Sequence, residues 1–364
     1  MLAVILAGGA GTRLRPLTYA RRKELVPVLN RPLLEHRLRN LRDHGITDVV
    51  IACAADARDI EAHFAGGSAL GVRLRYAYEE RPLGSGRAVK EAARSVGAQD
   101  QTIVVCNGDI ITDLDITAMV ARHRETGATL SMSLASVDDP WLYGVAEVDD
   151  ALAITSFVEK PPPGSEPSNL INAGTWIFDP EVLRRVPDDG SAVRDGFAER
   201  VLFPGLIADG LRVQGFREDL WMDLGSPERY LLGTRLLLER ETARIGAEVI
   251  GREGGRIAEG AVLEGMVCLG DAVAVCAGAR ITGPTVLGAR VRVDAGATVE
   301  ASVIWEDARI GAGASVTRSI VGGGVRIGER ASLVDAVIAD GAAIAPGVKL
   351  EPGARIMPGD QVRA

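Results

Sequence analysis

Glycines and cationic residues cluster near the start of the chain, in GGAGTRLRPLT (residues 8–18) followed by KELVPV (23–28). Glycines let backbone N–H groups approach a polyphosphate closely, while Arg13, Arg15 and Lys23 supply planar and point-like positive charges. Two common phosphate loops do not fit. Leu14 stands where a G-x-G-x-x-G motif needs its third glycine, and no GxxxxGK with Ser or Thr follows. A solvated basic turn is the alternative, but the density of these residue types favours a phosphate site.

The elements that must position this segment follow an α/β pattern up to about residue 240. The sequence predicts strands at LAVILA (2–7), DVVIAC (48–53), VRLRYAY (72–78) and TIVVCN (102–107). It predicts helices that end at glycine over 33–45, 85–97 and 116–127. Alternating strands and helices favour a largely parallel sheet covered on both faces, in which ligands bind at the carboxyl ends of the strands. The glycine-rich segment directly follows the first strand and therefore lies at such an end.

After residue 250 the pattern changes to a repeat, with an apolar residue at every sixth position. The spacing then contracts to five, six and six, so that 17-residue units align. Each unit predicts one coil of a three-sided parallel β-helix, and about six coils fit the repeat. A glycine-rich low-complexity tail would have no fixed register. We therefore predict two domains, 1–240 and 241–364. The first repeat positions are Ile257, Leu263, Leu269, Val275, Ile281, Leu287, Val293 and Val299.

Composition restricts the partners of the chain. Its 364 residues carry a net charge of −8, which argues against nucleic acid as the main partner. No apolar run reaches the length of a membrane span and no cleavable leader is visible, so we expect a soluble, cytoplasmic protein. The four cysteines show no CxxC spacing and are expected to be buried thiols.

Further motifs follow the first segment at spaced intervals, and together they carry a family resemblance. They are PLGSG (82–86), NGD (107–109), YGV (143–145), FVEKP (157–161), NAG (172–174) and WMDLGSPERY (221–230). The set resembles the signature of the sugar-nucleotide pyrophosphorylases, nucleotidyltransferases that make nucleoside-diphosphate sugars. The layout is most similar to that of the mannose-1-phosphate guanylyltransferases within this family. The resemblance implies a Rossmann-like mixed-sheet catalytic domain followed by a left-handed parallel β-helix of hexapeptide repeats.

The implied reaction joins a sugar 1-phosphate to a nucleoside triphosphate and expels pyrophosphate. Catalysis then consists of positioning two polyanions and neutralising charge on the leaving group. The resemblance assigns this task to Arg13 and Lys23, and assigns Mg²⁺, which prefers oxygen ligands, to Asp109 and Asp223. For a lone aspartate a helix cap or turn is the usual explanation, but here two aspartates lie in matching motifs. The implied nucleotide-binding residues are Leu6, Ala7, Gly8, Gly9, Gly11, Thr12, Glu79, Pro82, Gly84, Asn107 and Gly108.

For the sugar phosphate, the resemblance assigns Glu159 to the hydroxyls and Lys160 to the phosphate. These neighbours lie in an extended segment, so their side chains point to opposite faces unless the backbone bends. A surface strand end followed by a loop is the alternative for either residue alone. The implied pocket is completed by Tyr143, Gly144, Asn172 and Gly174.

The segment YEERPLGSG (78–86) predicts which nucleotide base the enzyme accepts. A carboxylate is a pure acceptor and suits the paired N1–H and N2–H donors of guanine, so Glu79, or its neighbour Glu80, favours GTP. An exposed surface glutamate is the alternative. Two residues depart from the family pattern. Glu24 replaces the usual proline and either weakens the cationic site or points to solvent, and Arg87 replaces a small residue and puts the shape of the pocket near the base or ribose in doubt.

Two rival functions remain to be weighed. β-Helix acyltransferases generally use a histidine of the helix as a base, but all four histidines precede residue 124, which argues against acyl transfer. A non-catalytic sugar-nucleotide-binding regulator is the second rival. The sugar stays open between mannose, glucose, heptose and cyclitol phosphates, and dTTP remains an alternative to GTP. The flat faces and edges of the β-helix predict a homo-oligomer.

Overall fold

The structure is a computed structural model that describes residues 1–9, 11–189, 191–192, 196–251 and 254–363. The chain forms two compact units: residues 1–9 with 34–222, and residues 10–33 with 223–364. The segment that contains Arg13 and Lys23 thus belongs to the same unit as the C-terminal repeat. The sequence division at residue 240 stays a prediction; the helix Pro227–Ile245 continues through that position.

Strands and helices of the first 245 residues follow the predicted alternation. The helices are α1 (Leu33–Asp43), α2 (Arg58–Phe64), α3 (Ser85–Arg94), α4 (Ile116–Thr126), α5 (Pro180–Arg184), α6 (Phe203–Ala208) and α7 (Pro227–Ile245). The strands are β1 (Leu2–Ala7), β2 (Pro27–Val28), β3 (Arg31–Pro32), β4 (Asp48–Ala54), β5 (Arg73–Glu79), β6 (Ile103–Asn107), β7 (Ile110–Thr112), β8 (Leu130–Ser136), β9 (Gly144–Val148), β10 (Ile154–Glu159), β11 (Leu170–Phe178), β12 (Val213–Arg217) and β13 (Trp221–Asp223).

The main sheet of the first unit is mixed, as the resemblance implied. Its path runs β10-β9-β11-β6-β1-β4-β5, and β8 joins it beside β11 with β12 outside β8. The pairs β6-β1, β1-β4 and β4-β5 are parallel, whereas β11 is antiparallel to both β6 and β8. Each of the four predicted strands is present within one residue of its predicted ends. The parallel half carries the glycine-rich segment at the carboxyl end of β1, which is where ligands bind in such sheets.

Within the described part of the C-terminal repeat, the chain forms a parallel β-helix of three sheets with seven, seven and five strands, which confirms the predicted architecture. Val267 pairs with Thr285 in an early coil, and Val286 pairs with Val303 further on, so the coil shortens from 18 to 17 residues where the repeat contracts. The last coil returns to 18 residues, since Val337 pairs with Arg355. The inward positions of the repeat form a single buried apolar cluster from Val267 to Val348.

The strands of the β-helix fall into three sets. The first sheet contains Val249–Gly251, Val267–Leu269, Thr285–Leu287, Val303–Ile304, Ile320–Val321, Val337–Ile338 and Arg355–Ile356. The second contains Arg256–Ile257, Ala274–Val275, Arg292–Val293, Arg309–Ile310, Arg326–Ile327, Ala343–Ile344 and Gln361–Val362. The third contains Val262–Glu264, Arg280–Thr282, Thr298–Glu300, Ser315–Thr317 and Ser332–Val334.

Among the described residues, no helix combines the length and apolar character needed to span a membrane. The four cysteines are free thiols. Cys53, Cys106 and Cys268 are buried as predicted, whereas Cys276 is only half-buried.

Candidate active site

A cavity of about 620 Å³ opens in the first unit beside the carboxyl ends of β1, β4 and β5. Predicted nucleotide-binding residues from two distant motifs line it, because parallel strands end at the same edge of the sheet. We call it the glycine-lined cavity. An ideal Cβ at Gly8 or Gly9 would meet no atom within 4 Å, so both glycines present open backbone. The predicted residues that line it are Leu6, Gly8, Gly9, Glu79, Pro82 and Gly84.

Glu79 is the half-buried carboxylate of this cavity. It ends β5, and its Oε2 accepts a hydrogen bond from the Leu83 N–H at 2.9 Å. Burial raises the pKa of Glu79, and the bond from Leu83 opposes that rise only in part. Its neighbour Glu80 also lines the cavity, but is more exposed. Glu79 is therefore the acceptor whose position the backbone fixes.

Arg87 is not among the residues that line the cavity, and its side chain is directed to a loop. Its Nη1 donates to the Pro187 carbonyl at 2.9 Å and to the Asp188 carboxylate at 2.7 Å. Lys90 and Arg94 contact the same carboxylate, and their hydrogen bonds lower the pKa of Asp188 well below its usual range. The departure from the family pattern at residue 87 thus ties α3 to the loop after α5.

Glu159 and Lys160 face the same side of the strand end, which resolves the question of their orientation. Lys160 has a φ of +49°, a left-handed conformation that is uncommon for a lysine. The bend brings its Nζ to 3.8 Å from Glu159 Oε1. The Lys160 N–H is held by the Tyr143 carbonyl at 2.9 Å, so YGV and FVEKP form one local structure.

Two glycines leave room for the side chains around these residues. A Cβ at Gly144 would lie 2.4 Å from the Phe157 ring and 2.7 Å from Glu159 Oε2. A Cβ at Gly174 would lie 2.6 Å from Asn107 Nδ2, so the NAG and NGD motifs are in direct contact. Only glycine fits at either position.

Asn172 and Trp221 complete this part of the site. The Asn172 Oδ1 accepts from the Gly174 N–H at 3.0 Å and from Trp176 Nε1 at 2.8 Å, which leaves the amide nitrogen as the group it can offer a ligand. Trp221 packs edge-on against the Tyr143 ring, with centroids 5.1 Å apart, and donates to the Ala173 carbonyl. Trp221 was not predicted as a site residue, although it begins the WMDLG motif.

Asp109 lies in the turn after β6, at the carboxyl edge of the parallel strands. The Gly108 N–H donates to the Leu6 carbonyl at 2.9 Å, and a Cβ at Gly108 would lie only 3.0 Å from that oxygen. The close approach holds the Asp109 backbone against the end of β1, beside Leu6, which lines the glycine-lined cavity. The Asp109 side chain is half-buried.

In the second unit, Arg13, Lys23 and Asp223 meet although 200 or more residues separate the cations from the carboxylate. Arg13 Nη2 lies 3.4 Å from Asp223 Oδ2, and Lys23 Nζ lies 3.3 Å from Asp223 Oδ1. Arg229 adds a third cation at 3.4 Å. These distances exceed the ~2.7–2.9 Å of tight charge-assisted hydrogen bonds, so the three contacts are loose. We call these four residues the cationic cluster.

Arg229 and Gly225 were missed by the sequence reasoning, although both lie in the WMDLGSPERY motif. A Cβ at Gly225 would lie 2.8 Å from Arg13 Nη2 and 2.9 Å from Asp223 Oδ1, so the absence of a side chain allows Arg13 to approach the carboxylate. Gly11, with a φ of +59°, begins the short helical turn that contains Thr12 and Arg13. Ala10 of the same motif lies outside the described residues.

Glu24 does not point to solvent, since only 3% of its surface is exposed. Lys23 is similarly buried, at 6%. The alternative prediction, that Glu24 points to solvent, is therefore wrong.

Comparison with known proteins shows the family of the chain. The profile of the nucleotidyl transferase family matches residues 2–240, and that of the GMPPB C-terminal domain matches residues 263–364. The chain belongs to the nucleotidyl transferase family. It is an enzyme of the group that acts on sugar 1-phosphates, as the resemblance of its motifs implied.

Relatives of this nucleotidyl transferase act on different bases. It is 35% identical to a mannose-1-phosphate guanylyltransferase of Mycobacterium tuberculosis over 306 residues. The aligned region covers 82% of each of the two chains. The chain is 33% identical over 326 residues to a UTP–glucose-1-phosphate uridylyltransferase of Synechocystis, covering 84% of this chain and 83% of the relative. A putative glucose-1-phosphate thymidylyltransferase from Bacillus anthracis, solved with sucrose, shares the fold with a TM-score of 0.56 and 24% identity, covering 64% of this chain and 96% of that one.

Proposed function

We propose that this nucleotidyl transferase joins mannose 1-phosphate to GTP and releases pyrophosphate. The sugar-phosphate oxygen forms a bond to the α-phosphorus of the nucleotide, and the bond from that phosphorus to the bridging oxygen of the pyrophosphate breaks. The nucleophile is already an anion, so no side chain has to remove a proton. The observation that carries the proposal is the cationic cluster, in which Arg13 and Lys23 lie 3.4 and 3.3 Å from the same carboxylate, that of Asp223.

Loose contacts matter because the cations must change partners. When a polyphosphate enters, Arg13 and Lys23 exchange the Asp223 carboxylate for phosphate oxygens and neutralise the charge that moves to the leaving pyrophosphate. Lys23 is buried, which limits competition from water, whereas the more exposed Arg13 can follow the departing group.

The donor set suits Mg²⁺. Asp223 and Asp109 are hard oxygen ligands, and no cluster of three or more metal-ligating side chains occurs in the described parts of the chain. Mg²⁺ is commonly bound by one or two carboxylates together with substrate phosphates, so two aspartates would be sufficient to hold it. We propose that these two aspartates hold Mg²⁺, which when bound supplies Lewis-acid stabilisation of phosphate charge.

The base assignment rests on Glu79. Its oxygen is fixed by the Leu83 N–H in the glycine-lined cavity, where one carboxylate can accept both donors of the guanine edge. For the sugar phosphate, Glu159 offers acceptors for hydroxyls and Lys160 a cation for the phosphate. These roles are supported by the bend that brings both side chains to one face.

Pyrophosphate release tests the function. GTP, dTTP, UTP and ATP are each supplied with each of mannose, glucose, heptose and cyclitol 1-phosphates, with and without EDTA. We expect the highest kcat/KM with GTP and mannose 1-phosphate, and loss of activity in EDTA that Mg²⁺ restores. Equal or better use of dTTP would overturn the base assignment. No release with any pair would favour the non-catalytic alternative.

UTP with glucose 1-phosphate is the second candidate pair, because the Synechocystis relative is named for that reaction. The homo-oligomer also stays a prediction. A light-scattering mass of one chain at micromolar concentration would refute it.

A further inference from the structure

Residues 11–33, which follow the glycine-rich turn, are seated on the β-helix within the second unit. Asn30 Nδ2 donates to the Leu287 carbonyl at 3.0 Å, and the Arg15 carbonyl accepts from Arg355 Nη1 at 3.3 Å. The cationic residues Arg13 and Lys23 therefore stand on a segment that contacts the repeat.

Arg21 makes the most extensive of these contacts, two residues before Lys23. Its guanidinium lies between two carboxylates, Glu306 and Asp340, that stand two coils apart with Gly323 on the coil between them. It donates to Glu306, and its Nε and Nη2 lie 3.3 and 3.2 Å from Asp340 Oδ2. Burial opposes the charge of the guanidinium, but the two carboxylates raise the pKa of Arg21. Only 21% of its side chain is exposed, which separates it from ordinary surface ion pairs.

The remainder of the network is built around Arg21. Its Cζ lies 4.9 Å from the centroid of the Trp305 ring, a cation–π distance. Asp340 is oriented from behind by the Gly323 N–H at 2.8 Å. A Cβ at Gly323 would lie 2.9 Å from Glu306 Oε1 and 3.1 Å from Arg21 Nη2, so a side chain here would displace the Glu306 carboxylate or the guanidinium.

A second series of hydrogen bonds lies beside the network around Arg21. Trp305 is 1% exposed, and its Nε1 donates to the Tyr230 hydroxyl at 3.0 Å. That hydroxyl in turn donates to the Pro27 carbonyl, four residues after Lys23. Both sides of Lys23 are thus held, by Arg21 before it and by Pro27 after it. Trp305 of the β-helix contacts Arg21 directly and reaches Pro27 through the Tyr230 hydroxyl.

We propose that Arg21 is a positioning residue through which the β-helix holds Lys23 and Arg13 in their working places. The inference rests on the proposed function, since the reaction defines those places. It gives the repeat a direct part in turnover besides any part in assembly. Lysine cannot replace Arg21 fully, because an ammonium lacks the planar fork that spans two carboxylates and stacks on an indole.

The test compares Arg21→Ala and Arg21→Lys with Arg318→Ala. Arg318 is a matched control because it joins successive coils through a bidentate pair with Asp335, both bonds 2.8 Å, as Arg21 contacts two coils. We expect kcat of Arg21→Ala to fall by about 10- to 100-fold with the KM for sugar 1-phosphate unchanged. Arg21→Lys should recover part of the loss, and Arg318→Ala should keep wild-type kcat.

Hydrogen exchange supplies a readout that does not need activity. Amides of residues 11–26 should exchange faster in Arg21→Ala than in the wild type, and in Arg318→Ala they should not. Wild-type kcat in Arg21→Ala, or an equal loss in Arg318→Ala, would overturn the inference. If the wild type itself releases no pyrophosphate, the proposed function fails. In that case hydrogen exchange by itself tests whether Arg21 anchors residues 11–26 to the β-helix. Unchanged exchange of these amides in Arg21→Ala would overturn the anchoring.

Discussion

The glycine-lined cavity and the cationic cluster handle charge in opposite ways. The cavity holds a half-buried carboxylate, Glu79, which is fixed by a backbone N–H and has a pKa raised by burial. The cluster places three cations within 3.4 Å of the Asp223 carboxylate, which is 8% exposed. One region offers an acceptor that a backbone N–H fixes, and the other gathers three cations around one carboxylate.

The contrast separates selectivity from turnover. A fixed acceptor discriminates between bases because the wrong edge leaves a buried polar group unsatisfied. Cations in loose contact act on charge that develops during the reaction, and that charge is the same for every base. Substitutions in the cavity should therefore change which nucleotide is used, whereas substitutions in the cluster should change kcat with all nucleotides.

The largest effect is expected for Lys23→Met. Loss of the buried ammonium removes a charge that stabilises the leaving pyrophosphate, so kcat should fall by about 100- to 1,000-fold with every nucleotide. Steady-state pyrophosphate release measures it. Lys90→Met is the control, because Lys90 is also buried and lies 3.0 Å from a carboxylate, that of Asp188. A folded Lys23→Met protein that keeps kcat within tenfold of wild type would remove the cluster from catalysis.

Glu79→Gln should change base preference. An amide presents a donor to one of the two guanine donors, so kcat/KM for GTP should fall by about 10- to 100-fold while that for UTP or dTTP falls less or rises. Glu80→Gln serves as the control, since Glu80 lines the same cavity without the Leu83 bond. If Glu80→Gln showed the larger change, the acceptor would be its neighbour instead.

Gly144→Ala tests the residues proposed to bind the sugar 1-phosphate. The new methyl group would lie 2.7 Å from Glu159 Oε2 and 2.4 Å from the Phe157 ring, so the carboxylate has to move. We expect the KM for sugar 1-phosphate to rise about tenfold and the free energy of unfolding to fall by about 1–3 kcal/mol. Gly205→Ala, where a Cβ meets nothing within 4 Å, should leave the KM unchanged and should not lower the free energy of unfolding, because alanine is the better helix former within α6. An unchanged KM would argue against Glu159 as a sugar ligand.

The pH dependence of GTP binding should follow Glu79. Burial raises its pKa, so the carboxyl group takes up a proton at a higher pH than a free glutamate does and then no longer accepts from guanine. The KM for GTP should therefore rise as the pH falls through that raised pKa. In Glu79→Gln this rise should be absent. A rise of the same size in the variant would assign the titration to another group.

The smallest effect is expected for Arg87→Ala. Its bonds go to Pro187 and Asp188 rather than into the glycine-lined cavity, so kcat/KM and the preference between nucleotides should stay within about twofold of wild type. A changed nucleotide preference would mean that the loop after α5 shapes the cavity.

Local pattern in the sequence determined most of the architecture. Strand and helix periods placed β1, β4, β5 and β6 within a residue, and the contraction of the hexapeptide spacing placed the shortening of the coil. Such periods record which face of each element is buried, so they can be read without knowing the partner. The spaced motifs were sufficient to name the family for the same reason: each is short and local.

Tertiary structure alone decided which side chains meet. Lys160 faces the side of Glu159 because one residue adopts a left-handed conformation, and Arg13 reaches Asp223 because Gly225 lacks a side chain. Arg21 and Asp340 contact each other across 319 residues of sequence. No period or composition specifies such a pair, because its free energy depends on an approach that exists only after both elements have packed.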